Sequence, residues 1–177
     1  ALSVQLKEEM GTDKIKARED EVNEVIFGTL ENLDGVQILA PRHKKRLSIF
    51  SFYFEKYHFN LVVKLLNDRF GIQTRGGCSC AGTYGHFLLN VDIDTSHKIK
   101  DQILEGCNTE KPGWVRMSVH PTITDEEVEY ICESLKGLAS NVEEWSQDYR
   151  YDALKNDYVH KSWIPTEKGL VAKWFNK

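Results

Sequence analysis

Between residues 47 and 70 the chain changes its apolar period, and that change limits what it can fold into. Residues 47–54 are rich in β-branched and aromatic side chains and partly alternate, which predicts a strand. Residues 59–70 place Leu61, Val62, Leu65, Leu66 and Phe70 at helical spacing, with Gly71 as the C-terminal stop. A strand and an amphipathic helix so close together point to layers of mixed type.

The flanking segments extend the pattern. Residues 12–32 predict a helix with Val22, Ile26, Leu30 and Leu33 on one face, closed by Asp34 and Gly35. Residues 36–39 read as a short strand stopped by Pro41, and residues 72–75 as another that runs into Gly76 and Gly77. Residues 95–104 predict a short helix, and residues 114–119 a strand approached through Lys111, Pro112 and Gly113. Thr124 and Glu127 have the spacing of a capping box, so a helix starts there and runs at least to Leu138, with Val128, Ile131, Cys132 and Leu135 inward. The expected fold class is α+β, a two-layer domain whose small sheet is covered by helices. Residues 1–11 are expected to be a disordered start, residues 12–148 the domain, and residues 149–177 an aromatic tail with little fold of its own. In that tail Trp163, Trp174 and Phe175 are expected to dock on something.

A length of 177 residues fits one domain with a sizeable core. The longest apolar stretches fall well short of the about 20 residues a bilayer span needs. A formal charge of -4 carries no electrostatic footprint for nucleic acid, and the basic run from Arg42 to Arg46 reads as a solvated turn. The 4 cysteines, Cys78, Cys80, Cys107 and Cys132, are too sparse for a disulfide scaffold, which suits a reducing, cytoplasmic setting. The chain opens without an initiator methionine or a signal pattern, so it is expected to be processed or cut from something longer.

Chemistry concentrates in Arg75-Gly76-Gly77-Cys78-Ser79-Cys80-Ala81-Gly82-Thr83-Tyr84-Gly85. A cysteine on a glycine-rich loop near a guanidinium can be accessible and carry thiolate character, which makes it a nucleophile. The same loop can also be purely structural, with cysteines that merely pack. A zinc site is a third reading, but zinc wants four ligands and usually a wider cysteine spacing, so no metal is expected.

Arg75, Gly77 and Cys80 meet the pattern R-x-G-x-x-C, and Gly113-Trp114-Val115-Arg116-Met117-Ser118 follows, then Asp125-Glu126-Glu127-Val128. Together with the upstream helix, Gly35–Leu39 and the strand at 47–54, this resembles the C-terminal small domain of class V aminotransferases, the fold-type I pyridoxal phosphate enzymes that include cysteine desulfurases and selenocysteine lyases. The resemblance implies a mainly antiparallel sheet. It places Cys80 where desulfurases keep their sulfur-accepting nucleophile, and Arg116 where the family grips the substrate carboxylate. A planar fork of donors suits that grip, because it meets a carboxylate bidentately. Arg75 falls on the arginine that opens the loop, near coenzyme and substrate. Cys78 and His86 are further loop contributors. Cys78 and Ser79 stand where many desulfurases carry histidines or small residues, so transamination, another β-elimination and epimerisation remain alternatives to desulfuration.

The resemblance also implies a pyridoxal 5'-phosphate coenzyme, a small amino-acid substrate and a homodimer. The coenzyme lysine, its acidic partner and the phosphate cradle belong in this family to a large upstream domain of the same parent chain. Thr95-Ser96-His97-Lys98 mimics the family's lysine motif, but it follows the Cys80 loop instead of preceding it, so Lys98 is not assigned that role and Thr95 or Ser96 is read as a helix N-cap. No cofactor-binding residue is therefore assigned to this chain, and it is expected to be inactive alone. His58 and His120 read as structural, and His43, His97 and His160 as solvated. The competing class is a non-catalytic thiol, metal-binding or dimerisation module.

Overall fold

The computed structural model describes residues 2–77, 82–106, 109, 111–153, 155–163 and 174. Its centre is β2 (Ile49–Phe54), where Phe50, Phe52 and Phe54 alternate inward. β2 pairs antiparallel with β1 (Val36–Ile38) and with β4 (Trp114–Ser118), and β4 pairs antiparallel with β3 (Arg75–Gly77), giving the order β1-β2-β4-β3. The helices α2 (Thr12–Glu31), α3 (Phe59–Phe70) and α6 (Asp125–Ser146) supply the other layer. Ile26 and Leu30 of α2, Val62, Leu65 and Leu66 of α3, and Leu135 and Leu138 of α6 meet the inward phenylalanines in one core. The fold is α+β, as the apolar periods predict, and its small sheet is antiparallel, as the resemblance implies.

Local chemistry sets the helix ends. Thr124 accepts from the Glu127 amide, and Glu127 accepts from the Thr124 amide, so the capping box starts α6. Gly71 closes α3 in the left-handed region, at φ 67°. No described helix is long and apolar enough to cross a membrane.

Besides the strand expected at residues 72–75, which forms at Arg75–Gly77, four local expectations change. The polar start is helical: Leu2–Met10 forms α1, which buries none of its residues and carries a Gln5 to Glu9 side-chain hydrogen bond one turn on. Gly82–Leu88 forms α4, which takes in the last residues of the segment read as a glycine-rich loop. Helix α5 (Ile93–Leu104) is capped by Asp92 and not by Thr95 or Ser96. The Asp92 carboxylate accepts from both the Thr95 amide and hydroxyl, and those bonds hold its pKa below the ordinary value.

The fourth change is at the C-terminal side. Tyr149–Asp152 and Asp157–His160 form an antiparallel hairpin, β5 and β6, where a structureless tail was expected. A lone hairpin is marginal in water, so its docking on α3 matters. The Tyr149 hydroxyl donates to Asp68, Arg69 pairs with Asp148, and Asn60 donates to the Asn156 carbonyl at the turn. Burial and the Asp68 carboxylate push the Tyr149 phenol well above its usual pKa, so it stays a donor. Four residues per strand are too few to show a period of two above a polar background, so the hairpin does not stand out in the sequence. Of the three tail aromatics, Trp163 and Trp174 are exposed among the described residues, and Phe175 lies outside them.

Candidate functional site

Register puts the two sequence-predicted arginines face to face. Arg116 in β4 pairs with Arg75 in β3 on one side and with Ser51 in β2 on the other. Side chains alternate across a strand, and Val115 and Met117 point into the core, so Arg116 points to the opposite face. Arg75 and Ser51, as its direct cross-strand partners, share that face. Ser51 is unassigned in the sequence; its signal was its place in the outward set of the alternating β2. Arg116 is half-buried and Arg75 exposed. Neither guanidinium has a hydrogen-bond or ion-pair partner among the described residues. Like charges directly opposite each other on a strand pair repel, and an anion placed between them would relieve that repulsion.

Gly77, the last residue of β3, has a φ of 120°, which excludes ordinary side chains. Cys78 and Cys80 lie outside the described residues. His86 of α4 is half-buried and meets the Ser96 hydroxyl of α5 through Nδ1 at 3.0 Å, which ties the two helices together. Tyr84 and Phe87, also on α4, stack on each other in the open, with ring centroids 6.3 Å apart. Among the described residues no group of three or more histidine, cysteine or acidic side chains is placed to hold a metal ion.

Beneath the arginine strands lies a tight aromatic contact. A Cβ built on Gly113 would fall 2.7 Å from Phe59 Cδ1 and 2.9 Å from its Cζ. Gly113→Ala is therefore expected to destabilise the chain by about 1–3 kcal/mol, read as a lower urea midpoint, because the added methyl group and the buried ring cannot share that space unless Phe59 shifts. An unchanged midpoint would show that Phe59 moves at no cost.

His58 caps α3. Its Nδ1 accepts from the Asn60 amide at 3.2 Å, and its ring stacks on Phe59 with centroids 4.3 Å apart. Its Nε2 is buried without a hydrogen-bond partner among the described residues. Burial lowers its pKa below 6.5, so the folded chain holds it neutral. The unfolded chain takes up this proton below about pH 6.5 and the folded chain does so only at lower pH, so acidification favours unfolding across that window. The wild type should lose stability between pH 7 and pH 5 more steeply than His58→Asn, which keeps a capping side chain; parallel thermal curves would contradict this.

A pyridoxal coenzyme needs an amine in an enclosed pocket. Lys98 stands exposed on α5, and no fit for the coenzyme arises there.

Comparison with known proteins agrees with this architecture. The apo structure of a cysteine desulfurase from Thermococcus onnurineus NA1 shares the fold at 24 % identity and a TM-score of 0.55, covering 78 % of this chain and 29 % of that one. The chain thus spans under a third of the desulfurase's length. No curated protein matches it. Residues 1–131 match the family described as Aminotransferase class-V. With most of its length matched and the fold shared, the chain belongs to the class-V aminotransferase family.

Proposed function

We propose that this chain is the C-terminal, substrate-side domain of a pyridoxal phosphate enzyme that acts on a small amino acid, with removal of sulfur from cysteine or of selenium from selenocysteine as the leading reaction. The observation that carries the reading is the pair of arginines opposed across β3 and β4 with no anionic partner among the described residues. Family membership supports it, and the short span relative to the desulfurase supports a separate coenzyme-holding domain of the same polypeptide. Arg116 receives the substrate carboxylate in the plane of its guanidinium, and Arg75 supplies a second set of donors from the neighbouring strand. Their shared face fixes the substrate's orientation before any bond breaks.

The coenzyme, when bound, supplies an electron sink for the substrate's α-carbon. Cys80 is the proposed sulfur acceptor: its thiolate attacks the substrate sulfur, a sulfur–sulfur bond forms, the carbon–sulfur bond breaks and its electrons stay with carbon. A protonated carbon then yields alanine. Cys78 and His86 are proposed as flanking groups of the loop. A cytoplasmic homodimer is the proposed setting, supported by the sparse cysteines and by family habit.

Two measurements test the reading. The 177-residue chain alone should bind pyridoxal phosphate only weakly, without a shifted coenzyme absorbance. Tight binding would overturn the division of labour. In the polypeptide that carries the coenzyme lysine, Cys80→Ala should abolish sulfide release from cysteine while coenzyme binding persists. Full activity in that variant would remove Cys80 from the chemistry and favour transamination.

A further inference from the structure

The arginine row depends on a strand that does little to hold its own register. β3 is three residues long, two of them are glycines, and it lies at the edge of the sheet. A glycine-rich strand specifies its pairing weakly, and a slip of one residue would turn Arg75 to the opposite face. Something beneath it must hold it.

Phe59 occupies that place. It opens α3 and is buried. A Cβ built on Gly76 would fall 2.8 Å from Phe59 Cδ2, and one on Gly113 would fall 2.7 Å from Cδ1. A single ring thus fills the side-chain space of two glycines. Gly76 follows Arg75 in β3, and Gly113 directly precedes β4. The ring is itself held from behind. His58 stacks on it, and Asn60 Oδ1 would meet the same Gly76 Cβ at 2.9 Å. Asn60 in turn donates to Asn156 in the β5–β6 turn, so the hairpin braces the first turn of α3.

We infer that Phe59 is a positioning residue for the Arg75–Arg116 pair: its ring, seated in the side-chain space of Gly76 and Gly113, fixes the register and tilt of β3 on β4 and so keeps both guanidiniums on one face. This rests on the proposed role of the arginines as a carboxylate grip. The pinning acts from the core face and the grip works on the other, so Phe59 touches no substrate.

The test uses the 177-residue chain, with amide hydrogen exchange and an NMR titration with sodium acetate as the carboxylate probe. Phe59→Leu should raise exchange at the β3 and β4 amides while leaving the β1–β2 pairs near wild type, and should weaken acetate binding by about tenfold. Adding Gly113→Ala to Phe59→Leu puts a methyl group where the ring edge was, and should restore both readouts. If Phe59→Leu does not fold, Gly113→Ala alone presses the ring from the strand side and should give the same local exchange change. Unchanged β3 exchange, or an equal rise in every strand, overturns the inference, as does a local rise with unaltered acetate affinity. If the wild type shows no acetate shift at its arginine side chains, the grip reading fails, and with it the link from Phe59 to substrate, even where the exchange data show that the ring pins β3.

Discussion

Replacing Arg116 by alanine is expected to raise the KM of the coenzyme-bearing enzyme for its amino-acid substrate by about tenfold to a hundredfold, with a smaller change in kcat. The magnitude follows from losing charge-assisted hydrogen bonds to one carboxylate, about 1.5–3 kcal/mol, at about 1.4 kcal/mol per factor of ten. The effect falls on KM because the carboxylate is held alike before and during the reaction. Arg116→Lys should recover only part of the loss, since an ammonium cannot form the bidentate fork. Stability provides the control. An arginine paired with a structural acid destabilises the fold when removed, whereas here the guanidiniums oppose each other across β3 and β4. Arg75→Ala should therefore leave the unfolding midpoint unchanged, or raise stability by up to about 1 kcal/mol as the repulsion is relieved. A marked loss of stability, or an unchanged KM in Arg116→Ala, would remove the grip from this face.

The largest stability effect is expected at Phe52. Its side chain is fully buried, and its backbone sits between Ile38 of β1 and Val115 of β4. Its ring lies 6.4 Å from that of Phe54, in a tilted arrangement. Phe52→Ala removes the ring at the point where strand and helix layers meet, and should cost about 3–5 kcal/mol. Set against a total of about 5–15 kcal/mol for a domain of this kind, that loss leaves the chain marginal at room temperature. Urea unfolding reads it as a lower midpoint with an unchanged slope. A loss below about 1 kcal/mol would mean that the core closes over the gap, and would contradict a single packed core shared by both layers.

These two positions differ in how readable they are in sequence. Phe52 lies in an apolar alternation long enough to declare a half-buried strand, and α3 follows with the right spacing and a glycine stop, so core and architecture are legible together. Arg116 is recognisable from its motif, but its relation to Arg75 is not. The two are separated by α4 and α5, and only pairing across β3 and β4 makes them neighbours. Asp92 as the cap of α5 went unrecognised because Thr95 and Ser96 offer equally good capping side chains nearby. The β5–β6 hairpin was illegible because its strands are short and its stability comes from α3 through Tyr149, Asp148 and Asn60.

Local pattern by itself determined the types of α2, α3, α5, α6, β1, β2 and β4, the capping box of α6, the stop at Gly71 and most residues of the core, because each depends on neighbours within a few positions. Only the tertiary structure decided that two like charges face each other, that one phenylalanine stands in for the missing side chains of two glycines, and that the β5–β6 hairpin braces α3. Those outcomes depend on strand register and on packing between segments far apart in the chain, which no local period encodes.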